Sequence, residues 1–162
     1  MIKRIFAHTI FIILLTALQT TWFSELPVTP ALLLVFAVFA ALFEGPVSGG
    51  VYGLICGMLT DAFSGGPSFL NALLFLYVCV IVGVVSNRVI GKTPTNAILI
   101  VVAFTAVYFL VYYFFSLVIW GEGYSFFRFI ATFALFVAFS GISATILYVP
   151  IRWSFRVVLI DS

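Results

Sequence analysis

The residues able to do chemistry are few enough to take one at a time. Five acids, seven bases, one histidine and two cysteines are spread over 162 residues. A carboxylate-dyad enzyme needs two acids that can meet. Glu44 and Asp61 lie at opposite ends of one helical stretch, roughly 25 Å apart at 1.5 Å per residue, and form no dyad. His8 stands alone, and one histidine does not make a zinc site. It reads as a structural or interfacial residue. Cys56 and Cys79 have no Cys-x-x-Cys spacing and read as small apolar residues of helix interfaces, not as a disulfide or metal ligands. There is no Ser/His/Asp set, no His-Glu-x-x-His and no phosphate-binding Gly-x-x-x-x-Gly-Lys. No acid falls at the middle of an apolar run, where ion-coupled transporters keep theirs. The expectation is a protein without catalysis, cofactor or metal.

What stands out is a spacing. Gly45, Gly49, Gly53 and Gly57 are four residues apart, and Asp61 is the next step on the same ladder. On an α-helix, positions i and i+4 share a face, so this is a bare backbone ridge ending in a carboxylate. In water each glycine would cost about 1 kcal/mol against alanine. In a bilayer such a ridge lets a second helix approach closely. Asp61, at the edge of an apolar stretch, needs a partner. The ladder is expected to form the central helix. Gly45, Gly49, Gly53, Gly57, Asp61 and Asn71 are the residues expected to make helix-packing or partner contacts.

The elements that carry these residues follow from composition. The chain is 65% hydrophobic and 7% charged, with a mean hydropathy of +1.33. A soluble domain carries about 25% charged residues and cannot hide so much apolar surface. Apolar runs recur along the whole length, which predicts a single polytopic membrane domain over residues 1–162. The net charge of +2 does not point to nucleic acid, because the cations sit at span ends and not in a patch.

Six all-α spans are expected, over about 5–23, 31–43, 47–62, 68–90, 95–120 and 124–148. The first begins after the basic leader Met1 to Arg4 and reads as an uncleaved helix, since no small-x-small cleavage site follows. Pro27 and Pro30 block helix in the next loop. Glu44-Gly45-Pro46 could mark a bend in one long span or a turn between two short ones, and charge decides. With two spans, Lys3, Arg4, Arg88, Lys92, Arg152 and Arg156 lie on the cytoplasmic side and only Arg128 outside. With one span the charges scatter. Both termini are then cytoplasmic. Thr93 is placed to cap the fifth span, with Pro94 at its first helical position.

Within the spans, Phe104, Tyr108 and Tyr112 fall at four-residue steps, with Tyr113 beside them. They read as aromatic packing or as the wall of a pocket. Asn71, Cys79, Gly83 and Asn87 give the fourth span a small or polar stripe. Ala131, Ala134, Ala138, Gly141 and Thr145 give the sixth one a small-residue stripe suited to a close, left-handed helix contact. Trp22, Trp120 and Tyr124 would mark one membrane interface, and Tyr148 and Trp153 the other. The stretch beyond Pro150 (Arg152, Trp153, Arg156, Val157) is expected to lie along the inner leaflet as an amphipathic tail.

The stretch Leu26-Pro27-Val28-Thr29-Pro30-Ala31-Leu32-Leu33-Leu34, then Gly49-Gly50-Val51-Tyr52-Gly53-Leu54-Ile55-Cys56-Gly57-Met58-Leu59-Thr60-Asp61, through Gly65-Gly66 to Leu70-Asn71-Ala72-Leu73, resembles the bacterial rod shape-determining MreD family. The pattern covers about Leu26 to Leu73; the later spans are similar in hydropathy. Members often have Asp or Asn after the second proline, where this chain has Ala31.

The resemblance implies a place in the inner-membrane elongasome that directs lateral peptidoglycan synthesis. The implied partners are MreC, with its single span, then MreB and the wall-synthesis glycosyltransferase–transpeptidase pair. It also implies a fold similar to the substrate-binding subunits of energy-coupling-factor transporters. Two functions are therefore expected to compete. One is a non-catalytic scaffold that binds MreC and supports rod shape in the bacterial cytoplasmic membrane. The other is a vitamin-binding transporter subunit, which needs polar groups converging on an outer pocket. Asp61, Ser68, Asn71 and Glu122 are the few available, which favours the scaffold.

Overall fold

The sequence Leu-Leu-Leu-Val-Phe-Ala-Val-Phe-Ala-Ala-Leu-Phe-Glu, from Leu32 to Glu44, has no polar side chain before its last position. It forms the helix on which the rest of the molecule is packed. The computed structural model describes residues 2–21, 31–64, 69–89, 94–120 and 126–157. They form six helices: α1 (Ile2–Thr21), α2 (Leu32–Glu44), α3 (Pro46–Ser64), α4 (Leu70–Val89), α5 (Pro94–Trp120) and α6 (Phe126–Val157). All described regular structure is helical.

Every residue of α2 from Leu32 to Leu42 is buried, and α2 touches all five other helices. Phe36, Phe39, Leu33, Leu34, Val35 and Val38 are among the largest fully buried side chains. Ala37, Ala40 and Ala41 between them have no measurable exposure and let neighbours come close. The glycine helix was expected at the centre, and that expectation is corrected: α2 is central, and α3 lies against it. The physical reason is steric. A ridge of glycines gives close approach on one face only, whereas α3 leaves Val47, Val51, Ile55 and Met58 exposed on another.

Gly45 separates α2 from α3 with φ 95, a left-handed conformation that glycine adopts without a Cβ penalty. Its N–H donates to the Ala41 carbonyl (3.0 Å) and its carbonyl accepts from Gly49 N–H (3.0 Å). It thus ends one helix and starts the next, and Pro46 follows at the first helical position of α3, where a missing N–H costs nothing. Gly45, counted as the first rung of the ridge, is the turn itself, at the Glu44-Gly45-Pro46 interruption expected between two short spans.

Among the described residues, two helices are long and apolar enough by themselves to cross a membrane, over Pro94–Val118 and Phe127–Arg152. Shorter apolar stretches occupy His8–Thr21, Leu32–Glu44 and Leu70–Ser86. At 1.5 Å per residue α2 is roughly 20 Å long, well short of the ~30 Å hydrocarbon core. α6 runs on through Pro150 to Val157, past about residue 148, where the sixth span was expected to end. Trp22, Tyr124, Lys92, Thr93, Ser68, Glu122 and the expected loops around Pro27 and Gly65-Gly66-Pro67 lie outside the described residues. So do the side chains of Lys3, Arg4, Asn87, Arg88, Trp120, Trp153 and Arg156.

Candidate functional site

The glycines of α3 work against two different helices. A Cβ added at Gly49 would land on the Cα and Cβ of Ala41 in α2. At Gly53 it would come within 2.7 Å of the Phe75 carbonyl oxygen, and at Gly57 within 2.5 Å of the Ala72 Cα, both in α4. Gly50, which is not on the four-residue ladder, also faces α4, at 2.9 Å from a Val80 methyl. The contact is reciprocal, since a Cβ at Gly83 of α4 would meet the Cα of Pro46 at 2.5 Å. Backbone therefore lies on backbone over the length of α3 and α4. The ladder spacing pointed to Gly49, Gly53 and Gly57. Gly50 and the fit of Gly83 against Pro46 were not legible, because hydropathy fixes helices but not their neighbours.

Asp61 closes the ridge and its carboxylate is shared out between two amides. Oδ1 accepts from Asn71 N–H (3.2 Å) and Oδ2 from Ala72 N–H (3.0 Å). These are donors of the first turn of α4, which has no intrahelical acceptor for them. A negative charge at a helix N-terminus is also favoured by the peptide dipoles. The residue before α4, Phe69, cannot do this job. Its φ is 75, whereas a side chain that caps its own helix needs a β-region backbone. Its ring is 60% exposed.

Asn71 then passes the network on. It is only 2% exposed, and its Oδ1 accepts a 2.6 Å hydrogen bond from the Tyr108 hydroxyl of α5. Tyr108 packs edge-on against Phe75 (centroids 5.2 Å) and beside Tyr112 and Phe136. Three helices are thus tied at one place. Of the aromatic ladder, Tyr108 is in the core while Phe104 and Tyr112 pack against it; Tyr113 lies tilted against Phe129, with ring centroids 4.4 Å apart.

Two further polar contacts were not foreseen. Gln19 Oε1 of α1 accepts from Leu33 N–H (3.3 Å), in the first turn of α2, whose own preceding residue Ala31 makes no side-chain cap. A lone amide in an apolar span was the available signal. His8, 1% exposed, pairs through Nδ1 with the Tyr52 hydroxyl at 2.7 Å, edge-on to Phe36. Cys56 and Cys79 are buried free thiols.

The α6 stripe turns the other way. Ala131, Ala134, Ala138 and Thr145 are exposed, and a Cβ added at Gly141 would meet Val102 of α5 at an ordinary 3.5 Å. Among the described residues no group of three or more His, Cys, Asp or Glu could hold a metal.

No curated protein and no solved structure matches the chain. The family described as rod shape-determining protein MreD matches residues 2–158, nearly the whole length, and the chain is therefore a member of this family of shape-determining membrane proteins.

Proposed function

We propose that the chain is a non-catalytic scaffold subunit of the bacterial elongasome, one that binds MreC and supports lateral peptidoglycan synthesis. The observation that carries this is the family match over residues 2–158. The glycine ridge adds a condition. Its close contacts are taken by α2 and α4, so a partner helix meets the molecule elsewhere, and the ridge serves the complex by shaping the subunit. MreB and the glycosyltransferase–transpeptidase pair are the further partners of this reading.

The same reading has six spans, both termini in the cytoplasm, one domain over the whole chain, and a fold similar to the binding subunits of energy-coupling-factor transporters. Several contacts support the alternation of span directions. Gln19 at the end of α1 meets the start of α2, and Asp61 near the end of α3 meets the start of α4. Gly83, late in α4, meets the α2–α3 turn. Tyr148, with the Arg152 guanidinium 5.7 Å over its ring, sits by Phe43 at the end of α2.

The test is a tagged pull-down of the full chain from gently solubilised native membranes, with cross-linking and mass spectrometry. Recovery of MreC with wall-synthesis enzymes is expected. Recovery of paired ATPases with a coupling membrane subunit instead would assign a transporter and overturn the scaffold.

A further inference from the structure

We infer that Asp61, Asn71 and Tyr108 form a latch that seats the α5–α6 hairpin on the α2–α4 core, so that the first turn of α4 and the middle of α5 order together. The inference does not depend on the scaffold reading. It rests on one residue carrying two bonds. The backbone N–H of Asn71 is held by Asp61 and its side-chain oxygen by Tyr108. Displacing the first turn of α4 therefore strains both bonds, and losing either one loosens the other.

Three features make this a latch and not routine packing. First, the turn is set up against a local penalty. Phe69 has φ 75, a backbone region that is unfavourable for a residue with a bulky side chain. The capping carboxylate must offset it. Second, the cap comes from another helix, so α4 cannot order its first turn without α3 in place. The two amides are donors that no residue of α4 itself satisfies. Third, α5 reaches the rest of the molecule through α2, α4 and α6, and Tyr108 is its buried hydrogen-bonded contact with α4. In an apolar environment the phenol proton has no water to turn to, so the bond to Asn71 is either made or lost at full cost. α3 and α4 are fixed to each other independently by the glycine contacts, which leaves α5 as the element whose seating the latch controls.

Hydrogen–deuterium exchange on the full chain in lipid nanodiscs tests this. Tyr108→Phe removes one hydroxyl and keeps the ring. It should speed exchange about fivefold, the loss of roughly one hydrogen bond, in peptides covering 69–76 as well as 104–112. Peptides covering 46–57 should be unchanged. Asp61→Asn keeps the shape and one acceptor oxygen, and should speed exchange in the same two segments, including 104–112 on a helix to which its carboxylate makes no hydrogen bond. If either variant changes exchange only on its own side, or in neither segment, the coupling does not exist and the inference is overturned. Should Tyr108→Phe fail to accumulate as folded protein, Asp61→Asn decides the matter by the response of 104–112.

Discussion

The α3–α4 pair and the α5–α6 pair are both antiparallel neighbours made of apolar sequence, yet they are held together by opposite means. Between α3 and α4 side chains are removed. Gly53 and Gly57 lie where a Cβ would be 2.7 Å or less from Phe75 or Ala72 backbone atoms. Between α5 and α6 side chains fill the space. Phe109 contacts Phe136 at 4.9 Å, Phe133 at 5.6 Å and Phe129 at 6.1 Å, and Tyr113 contacts Phe129 at 4.4 Å. Lipid tails are as apolar as leucine, so burial alone drives neither pair together. Close backbone packing has few alternative arrangements and fails abruptly when an atom is added. Ring packing has many near-equivalent arrangements and loses strength gradually when an atom is taken away.

The comparison breaks most sharply at Gly57. Gly57→Leu forces α4 away over Asn71 and Ala72, the residues that also receive the Asp61 carboxylate. The expected cost is upwards of about 3 kcal/mol, at the high end for overpacking, because backbone cannot rotate aside. Gly49→Leu should be as severe, since α2 is at the centre. The readout is the yield of monodisperse protein by size exclusion and its thermal unfolding midpoint in detergent. A folded Gly57→Leu protein with an unshifted midpoint would show that the helices are not that close.

On the other side, Phe109→Ala should cost about 2 kcal/mol, less than the ~3–5 typical of a fully buried aromatic, because Phe109 is half-buried and its ring neighbours can close in. The protein should fold, with a lower midpoint. A loss as large as that of Gly57→Leu would mean that the aromatic pair is packed as rigidly as the glycine pair, and the contrast would fall.

A smaller effect separates the two helix caps. Gln19→Leu removes the acceptor for Leu33 N–H and should lower stability by about 0.5–1 kcal/mol, the usual range for a lost cap. Ala31→Asn, which places a capping side chain at the residue before α2, should restore it. Rescue distinguishes capping from bulk packing. If Ala31→Asn leaves the Gln19→Leu midpoint where it was, Gln19 acts by some other contact.

How much of this was legible in the residues depends on whether the signal was local. Breakers and apolar runs mark helix ends, because Gly45-Pro46 and Pro94 are chemical interruptions that act in place. The ridge was legible for the same reason, since spacing along one helix fixes a face. Its partners were not. Nothing in Asp61 says that its acceptors face the amides of Asn71 and Ala72, or that Asn71 would turn its side chain to Tyr108. The centrality of α2 was missed because an all-apolar helix looks the same whether lipid or protein surrounds it. Its shortness was the neglected clue, with alanines set between phenylalanines. The α6 stripe shows the converse error. Ala131, Ala134 and Ala138 have the spacing of a close interface, but within this chain they face outward, so spacing proposes a contact surface without saying whether it is used.

Gly141 gives the finest comparison, because the identical change can be made in both pairs. An alanine methyl at Gly57 would sit 2.5 Å from the Ala72 Cα, against 3.5 Å from a Val102 methyl at Gly141. The first is a clash with backbone; the second is an ordinary van der Waals contact with the tip of a side chain that can rotate. Glycine inside a helix also costs up to about 1 kcal/mol against alanine, a difference that favours the variant wherever space permits. Gly141→Ala should therefore leave stability within about 0.5 kcal/mol or raise it slightly, while Gly57→Ala lowers it despite the same gain in helix propensity. Thermal midpoints of the two variants, measured side by side in one detergent, give the sign of each. A destabilising Gly141→Ala would mean that α5 and α6 approach more closely than their rings require, and the small-residue stripe on α6 would then belong to the fold of this chain and not to a surface left open.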